Sequence, residues 1–187
     1  MTPFMSLLLP VCLSAVAVFV ISSIIHMAMP WHKSDYVKVN DEDGLMAAMR
    51  PFGLKPGDYM MPRPSSGADM KSAEFLAKRE SGPVVIMTVA PGGPFNMGAF
   101  MGSWFIFSLL ISAIAGWMTG TILPPGADGH AAFHFSALIT FLCYSMGAVP
   151  LSIWYYRKWS TTLKNAFDAL LYGLATGAIF MLMWPKA

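Results

Sequence analysis

The chain has 187 residues, of which 56% are hydrophobic and 12% charged, about half the charged share of an ordinary soluble domain. Its net charge of +2, with no long run of basic residues, excludes nucleic acid as a partner. The apolar residues gather into four blocks of membrane-crossing length, because a hydrocarbon core about 30 Å thick takes about 20 apolar residues in a helix. The expected fold class is an all-α membrane protein: four transmembrane helices with a small mixed α/β cytoplasmic loop region, and the lipid bilayer as first partner.

In chain order, residues 1–30 hold the first transmembrane helix, Phe4 to Met29. No positive charge precedes it and its apolar run is longer than a signal-peptide core, so it is expected to stay in the mature protein. Residues 31–97 form a polar loop subdomain. Residues 98–187 form a three-helix region with spans at Ala99 to Leu123, Ala132 to Tyr155 and Asn165 to Trp184. Eight of the 12 Lys and Arg residues lie between the first two spans and three more between or beside the last two. Positive residues are retained inside, so residues 31–97 are expected to be cytoplasmic and both chain ends outside. Cys12 and Cys143 fall within spans and read as small apolar residues.

The loop carries local signals of order. Asn40 is placed to cap a helix from Asp41 to Met49, ended by Pro51. Lys55-Pro56-Gly57-Asp58 has the proline and glycine of a type II turn. A second helix is expected from Met70 to Glu80, capped by Asp69 and closed at Gly82-Pro83. Val84 to Val89 is β-branched and reads as a strand. Its in-chain partner would be Tyr36 to Val39 or Tyr59-Met60-Met61; otherwise it would add to a neighbour's sheet edge.

Candidate chemistry is sparse. His130 and His134 stand four apart at the start of the third span, a spacing that puts two imidazoles on one helical face, with Asp128 near enough to be a third metal ligand. The pair lacks a following Glu or Cys, and histidines at a membrane interface need no metal. His26, near the inner end of the first span, is a candidate cofactor ligand because a histidine in an apolar helix asks for a function. Asp168 is the carboxylate nearest a span interior, and it is read as an interfacial charge paired with Lys164, four residues earlier, or with Arg157. The sixteen methionines are scattered and not grouped in repeats, which favours packing over copper handling. No cofactor is expected, and no nucleophile-base pair, phosphate loop or zinc cluster indicates an enzyme.

Small-residue spacing is the clearest feature of the spans: Gly98 with Gly102, Gly116 with Gly120, and Gly173 with Gly177. Such pairs let helix backbones approach closely, which in lipid replaces the missing hydrophobic drive. A parallel contact between the second and fourth spans, or with a partner's helix, would use them.

The runs Pro30-Trp31-His32 with Asp35-Tyr36, Lys55-Pro56-Gly57-Asp58-Tyr59 with Pro62, and Ile153-Trp154-Tyr155 through Trp159-Ser160-Thr161-Thr162 to Phe167-Asp168 resemble those of small uncharacterised bacterial inner-membrane proteins. The resemblance covers most of the chain and implies a bacterial inner-membrane protein built as one unit. It brings no activity to any residue. With glycine-lined faces and an unassigned strand, the expected function is a non-catalytic accessory or structural subunit of a larger membrane complex, its partner another integral protein, respiratory or photosynthetic. The alternatives are a small transporter or channel and a metal- or cofactor-binding membrane protein.

Overall fold

The computed structural model describes residues 1–186. The chain forms two compact units, one of Met1–Val37 with the chain from Asn96 onward, the other of Lys38–Phe95. Among the described residues of the first unit, four helical stretches are long and apolar enough to cross a membrane: Phe4–Ala28, Met97–Ile122, Gly129–Trp154 and Trp159–Met183.

The first stretch begins as a 3₁₀ turn, Phe4–Leu7, and continues as α1, Leu8–Ala28. It stops where Met29 turns extended (ψ 145°) ahead of Pro30, the conformation that proline imposes on the residue before it. A further 3₁₀ turn, Trp31–Ser34, follows at once. The third stretch is interrupted: a 3₁₀ turn, Met146–Ala148, separates two helices at the proline-bearing restart. Pro150 has no N–H to continue the upstream ladder, so the chain restarts there.

In the second unit, α2 (Glu42–Met49) is capped by Asp41, whose side chain accepts from Gly44 N–H at 2.9 Å; the expected cap, Asn40, lies one residue too early. β1 (Gly57–Met61) pairs antiparallel with β2 (Val85–Val89), Tyr59 opposite Met87. The β-branched strand thus finds its partner in Tyr59-Met60-Met61, and Thr88 Oγ1 and Asp58 Oδ1 meet across the pair at 2.6 Å. Between the strands, α3 (Ala73–Ser81) is capped by Ser72, which accepts from Phe75 N–H at 3.1 Å. Asp69 is no cap for this helix, because its carboxylate accepts from Ser65 N–H at 2.7 Å and from the Ser72 hydroxyl at 3.2 Å.

The remaining helices of the first unit are α4 (Met97–Ile122), α5 (Gly129–Ser145), α6 (Val149–Trp154) and α7 (Trp159–Met183). α5 runs along α7, and α1 packs on both α4 and α7. Many buried positions are small or hydroxylated, among them Ser14, Ala15, Ser108, Ser112, Thr119, Ser136, Thr140 and Thr176, beside a few large ones such as Leu7, Val18 and Phe180, while Leu9, Val20, Ile24, Ile106, Leu110 and Leu138 point outward. Small residues let helices approach closely, and several hydroxyls are satisfied on their own helix: Ser136 Oγ donates to the Ala132 carbonyl at 2.7 Å and Ser145 Oγ to that of Phe141 at 2.7 Å.

Four of the six glycines sit at such approaches. A Cβ on Gly116 would lie 2.8 Å from Val11 Cγ2 and 3.1 Å from Phe180, and one on Gly120 would lie 2.9 Å from Leu7 Cδ1. On Gly173 it would lie 2.7 Å from the Ala137 carbonyl oxygen, and on Gly177 2.8 Å from Phe133. These faces are filled by the chain's own helices, the Gly173 and Gly177 face by the neighbouring α5, not by a partner. Gly102 has nothing within 4 Å of its Cβ position, and Gly98 meets only the nearby Asn96 side chain at 3.5 Å.

Candidate functional site

Polar side chains converge where the 3₁₀ turn after α1 folds against the first turns of α7. The helical run of α7 places Thr161, Lys164 and Asp168 on one face at spacings of three and four. The turn supplies His32, Ser34 and Asp35. His32 is the bridge: its Nδ1 lies 2.7 Å from Asp35 Oδ2 and its Nε2 lies 2.8 Å from Asp168 Oδ2. An ionised carboxylate only accepts, so both contacts are filled together when His32 carries both protons.

Lys164 secures the same turn. Its ammonium donates to Asp35 Oδ1 and to Ser34 Oγ, each at 2.8 Å, and to the Trp31 carbonyl oxygen. Three donors thus meet three acceptors. Thr161 Oγ1 adds a weaker contact to Asp35 Oδ1 at 3.3 Å. Burial works to raise the Asp35 pKa, but hydrogen bonds and charge from Lys164 and His32 outweigh it and hold the carboxyl below its ordinary value.

His26, one turn back on α1, stacks on His32 with ring centroids 4.5 Å apart and planes 9° from parallel. Its Nδ1 lies 3.0 Å from the Ser22 carbonyl oxygen, a group that can only accept, so Nδ1 is the donor and Nε2 is the nitrogen left for a ligand. The ligating atoms of His26, His32 and Asp168 all lie within 4.8 Å of one another. Tetrahedral zinc with bonds of about 2.1 Å holds its ligands about 3.4 Å apart, so closing on a metal asks the ligand atoms to draw in by up to about an ångström and a half and one imidazole to turn out of the stack, because parallel rings do not aim their in-plane lone pairs at one point. His26 is exposed and has room to turn. Each histidine also has the outer partner that metal-binding imidazoles use on the second nitrogen, a carbonyl for His26 and a carboxylate for His32. Two imidazoles and a carboxylate are a donor set of the kind that transition metals take.

A cavity of about 250 Å³ opens beside Asp168, walled by Trp104, Phe107, Tyr144 and Tyr172. Trp104 is fixed by its indole N–H, which donates to Ser22 Oγ at 2.7 Å. Asp168 Oδ1 and the Tyr172 hydroxyl are buried without a hydrogen-bond partner.

The residues singled out in the sequence are distributed unevenly over this arrangement. His26 and Asp168 belong to it, and Lys164 belongs through Asp35. Asp168 is paired with His32, while Lys164 is taken up by Asp35 and the turn. Asp128 caps α5 by accepting from His130 N–H at 3.2 Å, and His134 meets the ring of Phe133 edge-on. Among the described residues, the side chains that come together as a triad of ligand atoms are His26, His32 and Asp168. Sequence reasoning passed over His32 and Asp35 as site residues; the available signal was their i, i+3 spacing directly after the Pro30 that ends the first span. No family model, curated protein or solved structure matches the chain.

Proposed function

We propose that this chain is a non-enzymatic, multi-pass protein of the bacterial inner membrane that binds a divalent transition-metal ion at the cytoplasmic end of its helices. The supporting observation is the triad of His26, His32 and Asp168, with ligand atoms within 4.8 Å of one another and each imidazole oriented by an outer acceptor. The sidedness follows from the concentration of Lys and Arg in residues 31–97. His32 holds a proton on Nε2 when it bridges the carboxylates, so metal capture through that nitrogen releases a proton.

The test is titration of chelator-stripped protein with Co(II), read by visible absorption and calorimetry. Stoichiometric binding is expected, lost in His26→Ala and in His32→Ala but retained in His130→Ala/His134→Ala. Binding that survives the first two substitutions and disappears with the third would move the site to α5. For sidedness, a reporter fused after Ala187 should be active outside and one inserted in 65–68 active inside.

A second reading, an accessory subunit of a larger membrane complex, is supported by the Lys38–Phe95 unit. Phe75 is its one buried apolar side chain, while Phe52 (76% exposed), Met46 (56%), Leu76 (51%) and Leu45 (47%) are open. A two-stranded sheet is marginal without further packing. Mild-detergent purification followed by mass spectrometry tests it: a stoichiometric integral-membrane partner is expected, and a chain that purifies alone counts against it.

A further inference from the structure

We infer that the aromatic-walled cavity beside Asp168 is a binding site for a primary ammonium group. Asp168 is deeply buried, with 5% of its side chain exposed. One of its oxygens is engaged by His32, while the other, Oδ1, is buried and unpartnered, and the residue lines the cavity. An unmade hydrogen bond on a buried carboxylate oxygen is costly, and a bound cationic donor removes that cost.

Two further features narrow the class of ligand. Four of the other lining side chains form an aromatic cluster beside His26, Cys143 and Asn165: Tyr144 packs against Trp104, Phe107 and Tyr172 with ring centroids 5.8, 5.7 and 5.1 Å away. Aromatic walls attract a cation and give little to neutral water or to an anion. The second feature is the count of acceptors. Asp168, Tyr144 and Tyr172 line the same cavity, Asp168 Oδ1 and Tyr172 Oη have no partner, and a primary ammonium has three N–H donors. A quaternary ammonium has none and would leave both oxygens unpaired. The chemistry therefore favours an ethanolamine-like amine over a choline-like one. About 250 Å³ accommodates such a group with its first few carbons.

An ammonium of this kind can come from a lipid headgroup or from a free amine. The site shares Asp168 with the proposed metal triad. The metal reading uses the two imidazoles with Asp168, whereas Tyr144 and Tyr172 serve the ammonium alone.

The experiment is native mass spectrometry of the full chain released from micelles containing equal phosphatidylethanolamine, phosphatidylcholine and phosphatidylglycerol. A parallel titration uses free ethanolamine in lipid-free micelles. The wild-type chain should retain phosphatidylethanolamine about tenfold over phosphatidylcholine, the scale of one charge-assisted hydrogen bond. Asp168→Asn should remove the preference. Tyr172→Phe, which keeps the ring and the packing and deletes one acceptor, should reduce it several-fold while Co(II) binding stays intact, so failure of the metal reading and failure of this one are separable. Displacement of the lipid by millimolar ethanolamine identifies a soluble amine as a competent occupant, and its absence identifies the lipid headgroup. Equal retention of the ethanolamine and choline lipids together with no binding of free ethanolamine, or a preference unchanged in both variants, overturns the inference.

Discussion

The imidazole of His32 lies 2.8 Å from the carboxylate of Asp168, a contact between residues 136 positions apart in the chain. It joins the turn that follows the first long helix to the interior face of the last one. His32→Ala would leave both Asp168 oxygens unpartnered in a buried site, and breaking such a pair from one side costs about 3–5 kcal/mol. Thermal unfolding in detergent should show that loss, and adding Asp168→Asn to the His32→Ala chain should recover part of it. A double variant no more stable than the single one would show that the buried charge is not the cause.

The pH dependence of the Asp35 to Lys164 contact has a definite sign. The Asp35 carboxyl is held below its ordinary value in the folded chain, since hydrogen bonds and charge from Lys164 and His32 outweigh the opposing effect of burial. Its stabilising contribution is therefore complete above the unfolded value and is lost as pH falls through the lower, folded value. The Asp35 carboxyl carbon, followed by NMR in labelled protein, should titrate below the ordinary carboxylate range, and Lys164→Met should move that midpoint upward. A midpoint indifferent to Lys164 would break the account.

Gly173→Leu and Gly102→Leu should differ sharply. At Gly173 an added Cβ would lie 2.7 Å from a backbone oxygen of α5, whereas at Gly102 it meets nothing within 4 Å. The first substitution should destabilise the folded chain by at least the 1–3 kcal/mol typical of overpacking, about the range seen in well-packed cores, and the second should be near neutral. Both variants should still enter the membrane, because leucine is at least as apolar as glycine. Equal melting temperatures would mean that α5 and α7 are less closely apposed.

Trp104→Phe keeps an aromatic ring and deletes the indole donor that reaches Ser22 Oγ at 2.7 Å. The expected cost is about 0.5–1.5 kcal/mol, the usual net value of one intramolecular hydrogen bond. Ser22→Ala combined with Trp104→Phe should cost less than the two changes added together, which unfolding curves on the four chains would show.

The four long helices were legible because hydropathy averaged over twenty residues needs no knowledge of neighbours. The glycine spacing was legible too, but not its destination: Gly173 and Gly177 are matched by Ala137 and Phe133, and nothing local in either segment names the other. The site itself was half legible. His26 and Asp168 stood out as polar groups in apolar helices, while His32 and Asp35 sit just past a helix end, where charged residues are ordinary. Their role appears only when the Trp31–Ser34 turn folds back onto α7. The caps were displaced by one residue in α2 and three in α3, because Asp69 found other donors and left Ser72 in the extended geometry that caps require.

Much of the interior of the helical unit is serine, threonine, alanine and glycine around a few large side chains such as Leu7, Val18, Ile111 and Phe180, while many leucines, isoleucines and phenylalanines face outward. This inverts the pattern of tolerance expected of a water-soluble protein. Exchange among bulky aliphatic residues on the lipid-facing surface should pass with little effect, whereas enlarging an inner alanine or serine by two carbons should not. A saturation mutagenesis map of this chain would then show its strictest constraints at its smallest side chains. Residue size, more than hydrophobicity, would be the quantity under selection along each span.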